Sequence, residues 1–148
     1  DYPSAATDLA VTIAKASWTG LFLAFDYGKS WRELVEAQPE GTGRAYFRHT
    51  QTNDLLARPG WQDITCHVCW DWISAALRQN GFSPSPIESQ ESFFIRTATH
   101  FMADLTSREA AHFSPLKVSL LQLLHPAHMG QRFQVLAAKR DQLPAHPE

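Results

Sequence analysis

Apolar residues recur at helical spacing in several stretches of the chain. The first stretch, residues 5–17, places Leu9, Ile13 and Ala16 on one face and has Ser4 in front of it as an N-cap. This spacing predicts an amphipathic helix that packs through those three residues. The same periodicity predicts four more helices, over residues 30–37, 71–80, 91–105 and 115–124.

Other apolar segments have the pattern of strands. Residues 21–25, LFLAF, show no polar alternation and predict a central parallel strand that is buried on both faces. Residues 131–140 alternate apolar and polar positions and predict a last, antiparallel strand. The two prolines within residues 82–90 favour an edge strand or an extended segment there. Helices and strands in this order predict an α/β fold.

One long segment, residues 39–65, interrupts this order with glycine, proline, polar residues and isolated aromatics. It shows no strong periodicity, so it predicts a long inserted excursion and no regular element. Segments of this length inside compact domains are functional or disordered. The aromatic side chains of Tyr46, Phe47 and Trp61 favour an ordered, functional excursion.

The composition, 44% hydrophobic and 19% charged residues, predicts one globular domain over residues 1–140 and a loose tail over residues 141–148. A formal net charge of −2 argues against nucleic acid as a partner. The longest apolar run is too short to span a bilayer, and the N-terminus lacks the pattern of a signal peptide, so neither a membrane partner nor secretion is expected. Two cysteines, Cys66 and Cys69, are too few for a disulfide framework and favour a reducing compartment.

Several spaced motifs together point to one family. An apolar strand ends in Asp-Tyr-Gly (LAFDYG, residues 23–28). A Gly-Thr segment then leads to an arginine and a histidine, and a Pro-Gly turn precedes Asp-Ile-Thr (both within residues 41–68). SQESFF (residues 89–94) and HPAHMGQRFQVLA (residues 125–137) follow. With these motifs the chain resembles the MidA-like S-adenosylmethionine-dependent methyltransferases. The resemblance implies that the chain is the C-terminal half of a Rossmann-like class I methyltransferase sheet with helices.

The resemblance also implies a cofactor, S-adenosylmethionine, held mainly by a glycine-rich turn after the first strand. Neither Gly41 nor Gly43 follows a strand and opens a helix, so no residue of this chain is expected to bind the cofactor. We therefore expect that the N-terminal half is missing and that the fragment alone is inactive. Either that half or a homodimer partner is expected to cover the exposed sheet edge.

The expected substrate also comes from the resemblance. Family members include mitochondrial assembly factors for respiratory complex I that methylate protein arginine, which implies a protein substrate and an arginine side chain as acceptor. The expected compartment is the bacterial cytoplasm or the mitochondrial matrix, with no targeting segment in this chain. The alternative is a non-catalytic protein-binding or assembly module that retains the methyltransferase fold.

Methyl transfer to a guanidinium requires carboxylates that bind the acceptor or take its proton. Asp26, at the end of the apolar strand, and Asp63 are the candidates, and their alternative role is to cap a turn or segment. His49 is a candidate proton acceptor or, alternatively, a loop anchor. The candidate substrate-binding residues are Tyr27, Arg44, Tyr46 and Thr65, although Arg44 and Tyr46 equally suit a role in shaping the excursion.

Two short motifs suggest metal ligands but are incomplete. The string CHVC, residues 66–69, supplies two thiols where a structural zinc site needs four ligands, and HPAH, residues 125–128, has no accompanying ligands. Ordinary thiols and structural histidines are expected, and no metal site. Trp70 and Trp72 cannot both face inward from a helix start, so we expect one to cover a neighbouring element and an exposed apolar patch to result.

Overall fold

The structure is a computed structural model, and it describes residues 4–109 and 113–143. It confirms a mixed α/β fold. The helices are α1 (Ser4–Lys15), α2 (Trp31–Ala37), α3 (Trp70–Gln79), α4 (Gln90–Thr97), α5 (Thr99–Arg108) and α6 (Pro115–Leu124), with a π-helical turn at Pro126–Gly130. The strands are β1 (Gly20–Asp26), β2 (Gly28–Lys29), β3 (Arg44–Phe47), β4 (Thr50–Thr52), β5 (Asp63–Thr65), β6 (Val68–Cys69), β7 (Ser83–Pro84), β8 (Glu88–Ser89) and β9 (Gln134–Arg140).

The described residues form two compact units. Of the described residues, the first unit contains 4–21, 27–84 and 138–143, and the second contains 22–26, 85–109 and 113–137. The first contains α1, α2 and α3, and the second contains α4, α5 and α6. Of the predicted tail, residues 141–143 follow β9 and are exposed, while residues 144–148 lie outside the described residues.

The main sheet consists of β1, β9, β7 and β8, and β9 is its central strand. It pairs antiparallel with β7 in the first unit and with β8 in the second, which confirms the predicted last strand and the edge character of residues 82–90. The prediction for β1 is wrong on two counts within the described residues. This strand lies at the edge of the sheet, and Leu21 and Leu23 are 58% and 40% exposed, because no described element covers their face.

The first helix packs against α3 through a face other than the predicted one. Ala10 and Ala14 are buried, whereas Leu9 and Ile13 are exposed. Small side chains allow two helices to approach closely, so the alanine face makes the contact and the larger side chains are left outside. The third predicted residue, Ala16, is exposed and follows the end of the helix.

The single helix predicted over residues 91–105 is two helices, α4 and α5. The break falls at Ala98, with φ −120° and ψ 17°. On either side of it, the hydroxyls of Thr97 and Thr99 donate hydrogen bonds to the carbonyls four residues earlier, a contact that bends helices. The remaining helix predictions are confirmed, with Gly81 at φ +81° after α3, and with Ser114 and Pro115 at the start of α6.

The excursion contains a three-stranded antiparallel sheet, which we call the small sheet, in the order β4-β3-β5. The prediction that the excursion is ordered is confirmed, but the prediction that it contains no regular secondary structure is wrong. Arg48 and His49 join β3 to β4 with φ values of 49° and 65°, the left-handed conformation that a two-residue type I′ turn requires. Gly60, with φ +78°, lies in a turn closed by the Trp61 N–H to the Arg58 carbonyl at 3.0 Å.

A buried arginine holds the core of the first unit together. Arg140, at the end of β9, is 3% exposed, and its guanidinium lies over the Phe82 ring at 4.3 Å from the centroid. It donates hydrogen bonds of 2.6 to 3.0 Å to four backbone carbonyls. These carbonyls belong to Ala14, Ala16, Trp18 and Asn80. The last strand is therefore tied to the ends of α1 and α3.

Candidate functional site

The small sheet brings four of the predicted site residues together. Arg44 is paired with Thr65, and Tyr46 is paired with Asp63. Paired residues on neighbouring strands point to the same side of a sheet, as do residues two apart on one strand. Gln51 joins them from β4, where its side-chain oxygen accepts the Tyr46 hydroxyl proton at 3.1 Å. We call these five residues the polar face.

The charged groups of the polar face are open to a ligand. Asp63 and Thr65 are exposed, and Arg44 and Tyr46 are partly buried. Arg44 donates through Nη1 to the Gly43 carbonyl at 2.6 Å. Within the described residues, neither Arg44 nor Asp63 forms an ion pair, and the Asp63 carboxylate caps no segment. The face therefore presents a carboxylate, a guanidinium, hydroxyls and an amide to one side of the sheet.

His49 lies beside this sheet and not on its polar face. It occupies the turn between β3 and β4 and is exposed. In the described part of the chain its ring makes no hydrogen bond, so the loop-anchor alternative finds no support there. The structure thus places His49 at the tip of a hairpin, three residues after Tyr46 and two residues before Gln51 of the polar face.

The two residues predicted at the end of β1 belong to different units. Asp26 is the last residue of β1, is partly buried and lies in the second unit. Tyr27 begins the next segment of the first unit, where its ring stacks near His67 with centroids 6.5 Å apart. Its carbonyl accepts the Val68 N–H at 2.9 Å, next to the parallel pairing of β2 with β6.

A groove beside α2 contains residues that the sequence analysis did not select. The Thr42 hydroxyl, which is buried, accepts the His67 N–H at 2.9 Å and fixes the segment before β6. Thr42 belongs to the Gly-Thr motif, and this was the signal that marked it. The groove has a volume of about 250 Å³ and is lined by Trp31, Leu34, Val35, Gln38, Pro39, Gly41, Thr42 and His67.

Three glycines of the described residues, Gly28, Gly43 and Gly130, are too closely packed to form a cofactor cradle. A Cβ added to Gly28 would lie 1.9 Å from Nε1 of the buried Trp70, and one added to Gly130 would lie 2.1 Å from the Leu124 carbonyl oxygen. Leu55 fills the space beside Gly43 in the same way, at 3.0 Å. Gly41 follows a helix and precedes a strand, opposite to the order that a nucleotide-binding turn needs. Packing occupies these positions, so they do not fit S-adenosylmethionine.

The cysteines and histidines carry no metal site in the part of the chain that the structure describes. Cys66 and Cys69 are both free thiols, the first exposed and the second buried, and burial raises the pKa of the Cys69 thiol. The rings of His125 and His128 lie 4.8 Å apart, and Nδ1 of His125 accepts the Ala127 N–H. No group of three potential ligands occurs among the described residues.

The two neighbouring tryptophans of α3 behave as expected. Trp70 is 2% exposed and packs on Gly28, whereas the ring of Trp72 lies 4.8 Å from that of Trp31 on α2. The neighbouring element that Trp72 covers thus belongs to this chain. Large apolar side chains are exposed elsewhere, among them Leu9, Leu21, Leu56, Trp61 and Ile64. None of the described helices has the length and apolar character needed to cross a bilayer.

Comparison with known proteins places the chain among methyltransferases. Residues 2–87 match a family described as "Putative S-adenosyl-L-methionine-dependent methyltransferase". An uncharacterized superfamily protein from Burkholderia thailandensis is 30% identical, with a TM-score of 0.78 over 92% of this chain and 37% of that one. A second structure from the same organism, described as a "likely methyl transferase" bound to S-adenosyl-homocysteine, is 29% identical. Its TM-score is 0.79 over 95% of this chain and 38% of that one.

The curated proteins contain no match to the chain. The chain spans less than two fifths of the length of the two similar structures. The family match, in contrast, covers more than half of the 148 residues, and the cofactor of that family is S-adenosylmethionine. The resemblance noted from the motifs is confirmed at this level. The chain belongs to the family of S-adenosylmethionine-dependent methyltransferases.

Proposed function

We propose that the chain is the substrate-side part of a longer enzyme that methylates a protein side chain, with the arginine guanidinium as the acceptor that the MidA-like resemblance implies. The observation that carries this proposal is the pairing of Arg44 with Thr65 and of Tyr46 with Asp63 on the polar face. Four residues selected from sequence motifs thereby share one surface. S-adenosylmethionine supplies the methyl group in this family.

The polar face has the chemistry to hold a guanidinium. The Asp63 carboxylate is exposed and unpaired among the described residues, so both of its oxygens are available for charge-assisted hydrogen bonds. The Tyr46 ring offers a π surface next to it, on which a cation is attracted. Thr65 adds a hydroxyl that orients the planar group. A bound arginine side chain would thereby be fixed through its charge and its plane.

The acceptor nitrogen must lose a proton when it gains a methyl group, and a basic side chain has to take it. Asp63 is the proposed acceptor of that proton because it also binds the guanidinium. Asp26 and His49 are proposed as further catalytic residues on the grounds of their motifs, with Asp26 at a strand end, the position at which α/β folds bind ligands. Tyr27 and Arg44 are proposed to bind the rest of the substrate.

The longer enzyme is proposed to contain the cofactor-binding half of a Rossmann-like sheet, of which this chain is the C-terminal half. The packed glycines and the length of the similar structures both support this view. The exposed edge and face of β1 would be covered by that half or by a second copy of the chain. The isolated chain is accordingly proposed to be inactive, and the proposed compartment is the bacterial cytoplasm or the mitochondrial matrix.

The test is an activity measurement on the full-length protein with radiolabelled S-adenosylmethionine and arginine-containing peptides. Asp63→Asn should lower methyl incorporation at least about 100-fold, because it removes both the charge and the proton acceptor. Asp104→Asn, an exposed carboxylate on α5, is the matched control and should leave the rate unchanged. Full activity of Asp63→Asn, or activity of residues 1–148 alone, would contradict the proposal.

A second candidate function is a non-catalytic protein-binding or assembly module. The exposed side chains of Leu56 and Trp61 favour it, because exposed apolar and aromatic side chains are typical of protein interfaces. Calorimetric titration of the full-length protein with S-adenosylmethionine separates the two candidates. A full-length protein that binds arginine-containing peptides but not S-adenosylmethionine would be a binding module.

A further inference from the structure

The small sheet has a second face, opposite the polar face. Phe47 is paired with Thr50 in β4, and Ala45 is paired with Thr52, so these side chains share this face. A pocket of about 450 Å³ opens here. It is lined by Phe47, Arg48, Thr50, Thr52, Asp54, Ala57 and Arg58, and we call it the arginine pocket.

Two positive charges meet at this pocket, and neither forms an ion pair with the one described carboxylate that lines it. The guanidinium carbons of Arg48 and Arg58 lie 5.2 Å and 4.3 Å from the centroid of the Phe47 ring. Neither arginine forms an ion pair within the described residues. The lining carboxylate, Asp54, accepts the Leu56 N–H at 3.2 Å and stabilises the loop. The ring therefore holds two guanidinium groups whose hydrogen-bond donors are left for a ligand.

The backbone at this pocket is conformationally costly. Arg48 and His49 both adopt positive φ, which in a type I′ turn is favoured by Asn-Gly. Most other residues disfavour this conformation, because their Cβ lies too close to the following carbonyl oxygen. Strained positions of this kind concentrate at binding sites. An arginine in this turn therefore points to a role for its side chain.

Apolar groups in the same loop indicate the class of ligand. Leu56 is 83% exposed and Trp61 is 79% exposed, and both lie between β4 and β5. Exposed aromatic and arginine side chains together are characteristic of protein interfaces. The formal net charge of −2 disfavours a polyanion such as nucleic acid, whereas a short acidic segment needs only a local positive site.

We propose that the arginine pocket binds an acidic segment of a partner protein, with carboxylates on Arg48 and Arg58 and apolar contacts on Leu56 and Trp61. The two threonine hydroxyls of the pocket can donate to the same carboxylates. The interaction does not depend on methyl transfer, because it uses the face opposite Asp63. It gives the small sheet two binding surfaces with different chemistry.

The test measures the binding of a fluorescein-labelled hexaglutamate peptide to the full-length protein by fluorescence anisotropy at low salt. The Arg48→Gln/Arg58→Gln variant should bind roughly tenfold more weakly, the loss expected for two exposed charge pairs. The Arg48→Lys/Arg58→Lys variant retains both charges and should recover most of the affinity. Arg132→Gln, an exposed arginine of the second unit, should bind like the wild type.

Two results would overturn the proposal. One is equal affinity of the wild type and a folded Arg48→Gln/Arg58→Gln variant, with folding checked by circular dichroism. The other is tighter binding of a single-stranded dT oligonucleotide than of the peptide, which would identify a nucleic-acid surface. The methyltransferase activity of the Arg48→Gln/Arg58→Gln and Arg48→Lys/Arg58→Lys variants on an arginine peptide tests the proposed function independently of the binding of the acidic peptide.

Discussion

At the scale of single residues, the guanidinium of Arg140 takes the place of water for four backbone carbonyls in the core of the first unit. Buried carbonyls that lose their donor keep the full penalty of desolvation. We expect Arg140→Met to lower the free energy of unfolding by about 3 to 5 kcal/mol, although methionine fills much of the same volume. Urea unfolding followed by circular dichroism measures this loss.

Two further variants separate the hydrogen bonds from the charge. Arg140→Lys keeps the charge but cannot donate to all four carbonyls at the ends of α1 and α3 at once, so it should recover only a minor part of the lost stability. Arg132→Met removes an exposed arginine and should change the free energy of unfolding by less than about 0.5 kcal/mol. Similar stability of Arg140→Met and the wild type would show that the carbonyls find other donors.

Sequence reasoning identified some of these residues and missed others for a definable reason. Arg44 and Asp63 were selected from motifs, and their side chains point to one side because strand pairing fixes it. Arg140 was not selected, since a Lys-Arg pair at the end of a strand has the pattern of a solvated surface. Its acceptors are backbone carbonyls up to 126 residues away, and no side-chain pattern marks them.

At the scale of elements, α2 begins with a reciprocal cap that titrates. Ser30 and Glu33 exchange hydrogen bonds, and the Ser30 backbone N–H donates to the Glu33 carboxylate at 2.9 Å. This bond, together with that from the Ser30 hydroxyl and the charge of Lys29, lowers the pKa of the Glu33 carboxyl. A carboxylate whose pKa is lowered by folding stabilises the folded state above its unfolded pKa, and this stability is lost as the pH falls through the folded pKa.

The wild type should therefore lose more stability than Glu33→Gln between about pH 7 and about pH 3, because only the wild type has this carboxylate to protonate. Urea midpoints at the two pH values give the comparison. Glu36→Gln, on the same helix but outside the cap, is the control and should follow the wild type. An identical pH dependence in Glu33→Gln and the wild type would refute the contribution of the cap.

The elements that sequence reasoning misplaced are those in which local signals were weak. The strands of the small sheet are only three or four residues long. Its hairpin turn contains Arg-His, whereas the sequence signal that predicts such a turn is Asn-Gly. In α1, Leu9 and Ile13 have the correct period, but the contact with α3 favours the smaller Ala10 and Ala14. The spacing of apolar residues correctly predicted a helix, but tertiary packing determined which face of that helix is buried.

At the scale of the whole molecule, the apolar strand β1 connects the fold with the proposed larger enzyme. Its continuous apolar sequence predicts cover on both faces, yet Leu21 and Leu23 are exposed in the described structure. Family membership was predictable because spaced motifs span nearly the whole chain. The identity of the covering element was not predictable, because a continuous apolar strand predicts a cover but does not show which residues supply it.

Replacing Leu21 and Leu23 by serine tests this interpretation in two contexts. In residues 1–148 alone the double variant should change the free energy of unfolding by no more than about 1 kcal/mol, because both side chains are already exposed. In the full-length protein, where the face is proposed to be buried, the loss should reach about 3 kcal/mol or more. Equal losses in the two contexts, measured by urea unfolding, would exclude cover over this face.

The hydrogen bonds of Arg140 also limit how early the core of the first unit can complete its folding during translation. The Ala14 carbonyl leaves the ribosome 126 residues before the guanidinium that binds it. At typical elongation rates this interval is about 6 to 25 s, far longer than a helix needs to form. Until Arg140 emerges, the carbonyls at the end of α1 lack these buried donors, so α1 stays accessible to chaperones and proteases throughout this interval.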